Sequence, residues 1–124
     1  MATSFRFSDI QQYLDAILAK SKKVPVTHGV FWRNTGNYHD DYVFFTTSGV
    51  PNVDIPIMNQ QAPLQSNFYL ILQRPLQDEG IPQMPVGGPY ITSPDYVVTV
   101  GSVSLTGDQI KNNIADWLSN GFPA

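Results

Sequence analysis

Two histidines, three methionines and ten carboxylates are the side chains of this sequence best suited to ligate a metal or to move a proton. His28 and Met84 pair an imidazole with a thioether, borderline and soft donors of the kind that hold a haem iron from its two axial sides. The plainer reading of the same two residues is a hydrogen-bonded loop histidine and a core methionine. Tyr38-His39-Asp40-Asp41 offers imidazole and carboxylate ligands for a divalent cation. On an extended segment adjacent side chains point to opposite faces, so at most His39 and Asp41 converge. A solvated turn is the plainer reading of that run.

Nucleophilic catalysis has little to work with. The 124 residues contain no cysteine and no Gly-x-Ser-x-Gly, and only two histidines are available as a base. Glu79 is the sole glutamate and stands beside Asp78 before Gly80, in an expected exposed turn. Gly87-Gly88 lacks the strand-to-helix context and the following lysine of a phosphate loop. No residue is therefore assigned a catalytic role. The enzymatic alternative is a small cofactor-free enzyme using His28, His39 and Asp41 in an aromatic pocket.

Composition bounds the rest. A chain of this length with 42% apolar and 12% aromatic residues can bury one core, and one domain spanning residues 1–124 is expected. Ten prolines and nine glycines demand much turn and loop. The net charge is −3, and the largest basic cluster is Lys20, Lys22 and Lys23. That gives no electrostatic footprint for nucleic acid or an anionic membrane, and those lysines better complement a helix end. The longest apolar stretch, residues 68–72, is far short of the roughly 20 residues of a membrane span. The first seven residues pass directly into a helix cap without an apolar leader core, so a cytoplasmic location is expected.

The elements that must position these residues are unevenly legible. Ser8 and Gln11 have capping-box spacing, and Ile10, Tyr13, Leu14, Ile17 and Leu18 follow helical periodicity, with Pro25 as the stop. A closing helix is firmer: Thr106 and Gln109 cap it, Ile110, Ile114, Trp117 and Leu118 form one stripe, and Gly121 and Pro123 end it. Residues 30–32 and 42–47 are β-branched and aromatic, separated by the turn cluster Asn34-Thr35-Gly36-Asn37, which predicts a hairpin. Residues 96–100 read as a further strand ended by Gly101. Periodicity leaves residues 66–73 open between helix and strand, although Ser66 is a credible N-cap and Pro75 a credible stop.

Laid end to end, these segments resemble a known family. Val24-Pro25-Val26-Thr27-His28-Gly29 stands where small bacterial cytochromes c of the planctomycete type carry their haem-attachment turn. Residues 62–69 are similar to that family's middle helix motif. Met84-Pro85-Val86-Gly87-Gly88-Pro89 resembles the axial-methionine loop, and residues 105–123 resemble the closing helix. The resemblance places Val24 and Thr27 where the two cysteines belong and His28 at the proximal ligand, while residues 30–58 and 92–104 look like β-rich additions. It implies a mainly α, cytochrome c-like three-helix core with a hairpin-containing insertion. The alternative is an α+β fold with a small antiparallel sheet flanked by N- and C-terminal helices. Covalent haem attachment needs thiols, so the resemblance implies a copy without attached haem. Its vacated apolar slot would be refilled by aromatics such as Phe31, Trp32, Tyr42, Phe44, Phe45, Tyr90 and Tyr96.

The functional expectation is an accessory or scaffold protein acting through a protein partner or self-association, without a cofactor. Its expected surface is the nearly uncharged, proline-containing loop with Val53, Ile55, Ile57 and Met58. The runner-up is a redox protein holding haem non-covalently through His28 and Met84.

Overall fold

The apolar repeat beginning at Ile10 forms helix α1, Phe7–Ser21, in a computed structural model that describes residues 4–21 and 29–124. Val24, Pro25, Thr27 and His28, and with them the attachment-turn correspondence, lie outside the described residues. The α1 cap differs from expectation. Arg6 takes the N-cap position: its N–H donates to Asp9 Oδ2 at 2.9 Å, and its carbonyl accepts from Asp9 N at 3.0 Å. Ser8 lies inside the first turn, and Gln11 is instead buried, donating its amide to Trp32 O at 2.7 Å.

After a 3-10 turn at Phe31–Arg33 comes helix α2, Tyr38–Thr47, where a hairpin was expected. Local β propensity loses here to capping and packing. Asn37 accepts Asp40 N–H in its side chain at 3.1 Å, and Asp40 and Asp41 sit in the first turn, favourable at the positive end of a helix. Helical spacing then sends Phe45 fully into the core, against Phe7, Phe31, Phe68 and Trp117. The hydroxyls of Thr46 and Thr47 fold back on the carbonyls of Tyr42 and Val43, so neither needs an outside partner.

Residues 66–73 resolve as the short helix α3, Asn67–Ile71, with Ser66 at its N-cap position. The fully buried Ser66 hydroxyl does not cap the helix but accepts Asn59 N–H at 2.9 Å. Strands β1, Val97–Val100, and β2, Val103–Thr106, pair antiparallel with Val98 opposite Leu105. Val98 is buried and Val97 exposed, the alternation of a sheet with one covered face. Thr106 ends β2 and caps α4, Gly107–Ser119, through the complete capping box with Gln109. The joint requires a glycine: a Cβ on Gly107 would stand 1.8 Å from Ile91 O.

Among the described residues the protein is thus mainly α-helical, with four α-helices and one two-stranded antiparallel sheet. No described helix is long and apolar enough to cross a membrane. The core is one cluster centred on Phe7, Phe45, Ile110, Ile114 and Trp117.

Candidate functional site

Three apolar surfaces meet in a pocket of about 530 Å³. Helix α1 contributes Leu14 and Ile17 from its buried stripe and the half-buried Leu18 beside them. The turn at residues 31–33 adds Phe31 and Trp32, held onto α1 by Trp32 Nε1 donating to Asp15 at 2.7 Å and by Arg33 paired with the same carboxylate at 2.6 Å. Helix α3 contributes Asn67, Phe68, Ile71 and Leu72.

Two loops complete the wall. The first is an arch closed by the Gly49–Pro56 bridge and by Val50 N–H on Ile55 O at 2.8 Å, which places Val50, Val53 and Ile55 along the pocket. Asn67 Nδ2 pins this arch to α3 through Pro56 O at 2.8 Å. The second loop turns at the Leu76–Ile81 bridge and is tied to α3 by Met84 N–H on Ile71 O at 2.9 Å. It brings Ile81, Met84 and Val86 to the wall. The Met84–Pro85 and Gly88–Pro89 bonds are cis, and Gly87 and Gly88 both have positive φ, so the Gly-Gly segment is a turn as expected.

The chemistry of this wall is uniform. None of the described lining residues is acidic, basic, a thiol or a phenol. The polar side-chain groups among the described lining residues are the Ser21 hydroxyl, which donates to Leu18 O at 2.6 Å, the Asn67 amide, which holds the arch, and the Trp32 indole N–H, which donates to Asp15. Such a wall can desolvate and hold apolar matter, and it offers no described group to transfer a proton or attack a bond.

No known protein family, curated protein or solved structure matches this chain. The arrangement of its own residues therefore carries the functional argument.

The pocket gathers some of the residues singled out in the sequence and disperses others. Met84 lines it, half-buried; His28 lies outside the described residues, so the His28–Met84 pair is not on view as a pair. His39 and Asp41 do not converge. They lie two apart on α2, about 200° around the helix axis, with His39 exposed and Asp41 buried. Asp41 accepts Thr35 N–H at 2.6 Å and the Thr35 hydroxyl at 2.8 Å, a structural clamp on the turn before α2. No cluster of metal-ligating side chains occurs among the described residues. The enzymatic alternative thereby loses His39 and Asp41 from its pocket.

The expected interaction loop divides in two. Val53 and Ile55 are half-buried on the pocket wall, whereas Ile57 is fully buried and Met58 6% exposed, so the latter two are core and not surface. The aromatics expected to refill a slot do enter the core at Phe31, Trp32, Phe45 and Tyr96, with Tyr42, Phe44 and Tyr90 half-buried, yet the apolar pocket stays open beside them. Sequence reasoning passed over Ile71, Leu72, Ile81 and Val86 as site residues. Their one signal was the apolar run at 68–72 followed by the proline-rich segment that folds back on it.

Proposed function

We propose that this protein is a non-catalytic accessory or scaffold protein that acts by contact with a protein partner or a second copy of itself, on a cytochrome c-like core without covalently attached haem. The observation that carries the reading is the apolar rim formed by Val53, Ile55 and Val86 around a pocket whose described wall holds no titratable group. Val86 is 48% exposed, and Val53 and Ile55 are half-buried. Apolar side chains kept at the mouth of an apolar depression are what a partner's surface can cover with gain, at about 25 cal/mol per Å² removed from water. The test replaces Val53 and Ile55 together by Ser and leaves the buried Ile57 and Met58 intact. A partner or dimer captured by the unaltered protein and lost by the variant, at unchanged circular dichroism and Tm, supports the reading. Capture of the same species by both removes it.

The second reading, non-covalent haem, is favoured by one observation: Met84 places a thioether on the wall of an apolar pocket. The described lining supplies no imidazole or thiolate as a second ligand, so this reading needs His28 as well. Met84 and His28 would hold the iron, and the surrounding apolar wall would exclude water from it. Titration with haemin tests it: a Soret band at one equivalent that is lost in both Met84→Ala and His28→Ala supports haem, and an unchanged spectrum of free haemin dismisses it.

A further inference from the structure

We infer that the pocket binds an aliphatic chain, a function that goes beyond contact at its rim. The size of the space and the apolar character of its described wall point to the same occupant. A cavity of about 150 Å³ accepts one benzene, so about 530 Å³ holds on the order of twenty carbon atoms, or fewer if the mouth remains wet. A ligand of that size with heteroatoms along its length would leave most of them without a side-chain partner on the described wall, at a cost of about 1 to 3 kcal/mol each. On the described wall the Ser21 hydroxyl donates to Leu18 O, Asn67 Nδ2 to Pro56 O and Trp32 Nε1 to Asp15. Sugars, nucleotides and peptides are disfavoured by that arithmetic, and a hydrocarbon chain is not. Its polar head stays outside, where the described wall needs no partner for it.

The loops of the wall are also tied to its helices. The arch that carries Val53 and Ile55 is pinned to α3 through Asn67, and the loop that carries Met84 is pinned to the same helix at Ile71 O. Trp32 is clamped to Asp15 by its indole N–H. These bonds fix both loops on α3 and the turn at 31–33 on α1, so these parts of the wall lose little conformational entropy when a chain enters.

The experiment titrates the full chain with octanol, decanol and dodecanol below their aggregation limits. Trp32 on the pocket wall is the reporter, since Trp117, the only other tryptophan, is sealed in the core. The expected result is a saturable blue shift that disappears in Trp32→Phe. Calorimetry should show affinity rising about fourfold per added methylene, the factor that follows from burial of each CH₂. Filling the pocket by Ile71→Trp should weaken dodecanol binding by at least tenfold; if that variant fails to fold, Val86→Trp at the mouth makes the same test on an exposed position. Affinity that is flat with chain length, equal binding by a folded filled variant, or no saturable signal overturns the inference. No partner protein enters the titration, so its failure is distinguishable from failure of the contact reading.

Discussion

The indole Nε1 of Trp117 donates to the carbonyl oxygen of Pro123 at 2.8 Å. The backbone N–H of Phe7 donates to the same oxygen at 3.1 Å, and Tyr42 Oη donates to the adjacent Phe122 carbonyl at 2.7 Å. Residues 122 and 123 thus tie α4, the start of α1 and α2 at one point, directly over the aromatic cluster. Phe122 adopts φ 38°, a left-handed conformation that a residue with a Cβ takes only when its surroundings hold it there.

The first prediction follows from that junction. Trp117→Ala removes the fully buried centre of the core and should cost about 3 to 5 kcal/mol in urea unfolding. Tyr42→Phe deletes one hydrogen bond to Phe122 and should cost about 1 kcal/mol. Equal losses from the two would mean that the junction, and not the packing, dominates.

Gly107 gives a prediction opposite in sign to helix propensity. Ala is favoured over Gly within a helix by about 1 kcal/mol, yet a Cβ here would meet Ile91 O at 1.8 Å, a backbone atom that cannot swing aside. Gly107→Ala should therefore lower stability by about 1 to 3 kcal/mol. A rise in Tm would show that the joint between β2 and α4 is looser than described.

Tyr96 is 2% exposed, and its hydroxyl has no hydrogen-bond partner among the described residues. Burial pushes its pKa up from 10.0 to about 12. A raised folded-state value means that stability is complete below pH 10.0 and declines as pH climbs toward about 12. The full loss is about 2 to 3 kcal/mol. Tyr96→Phe should be neutral or stabilising by about 1 kcal/mol at pH 7, since it removes an orphan polar group. Its alkaline loss should shrink without vanishing, because Tyr13, Tyr42 and Tyr69 are shifted in the same direction by burial. Urea midpoints across the alkaline range check both statements.

Asp15 separates two kinds of contact. Its pairing with Arg33 is bidentate, Nε to Oδ1 and Nη2 to Oδ2, but both side chains are more than two-fifths exposed, so Arg33→Ala should cost no more than about 1 kcal/mol. Asp15→Ala also strands the indole N–H of Trp32 and should cost more, about 1 to 3 kcal/mol, and it should loosen the pocket wall. Trp32 emission shifting to the red in Asp15→Ala but not in Arg33→Ala would bear this out; the same emission in both variants would refute it.

What the sequence determined by itself is what short-range rules govern. The closing helix, its Thr106–Gln109 capping box, its buried stripe through Trp117 and its Gly121 stop, with φ at 91°, all follow from spacing within one segment. Strand β1 and the helical periodicity of α1 were legible for the same reason. Tertiary structure decided the rest. Tyr42, Val43, Phe44 and Phe45 carry strand propensity, but burial of Phe45 among four distant rings outweighs the fraction of a kcal/mol per residue that propensity supplies. Ile57 and Met58 belong to a proline-bearing loop that locally reads as surface, and only the backbone bonds of Ile57 to Ser48 and Phe68 draw them inward. The pocket was legible least of all. Its wall is assembled from α1, the turn at 31–33, the arch, α3 and the loop at 76–86, and no local rule records that five separated apolar surfaces will meet and leave a space unfilled.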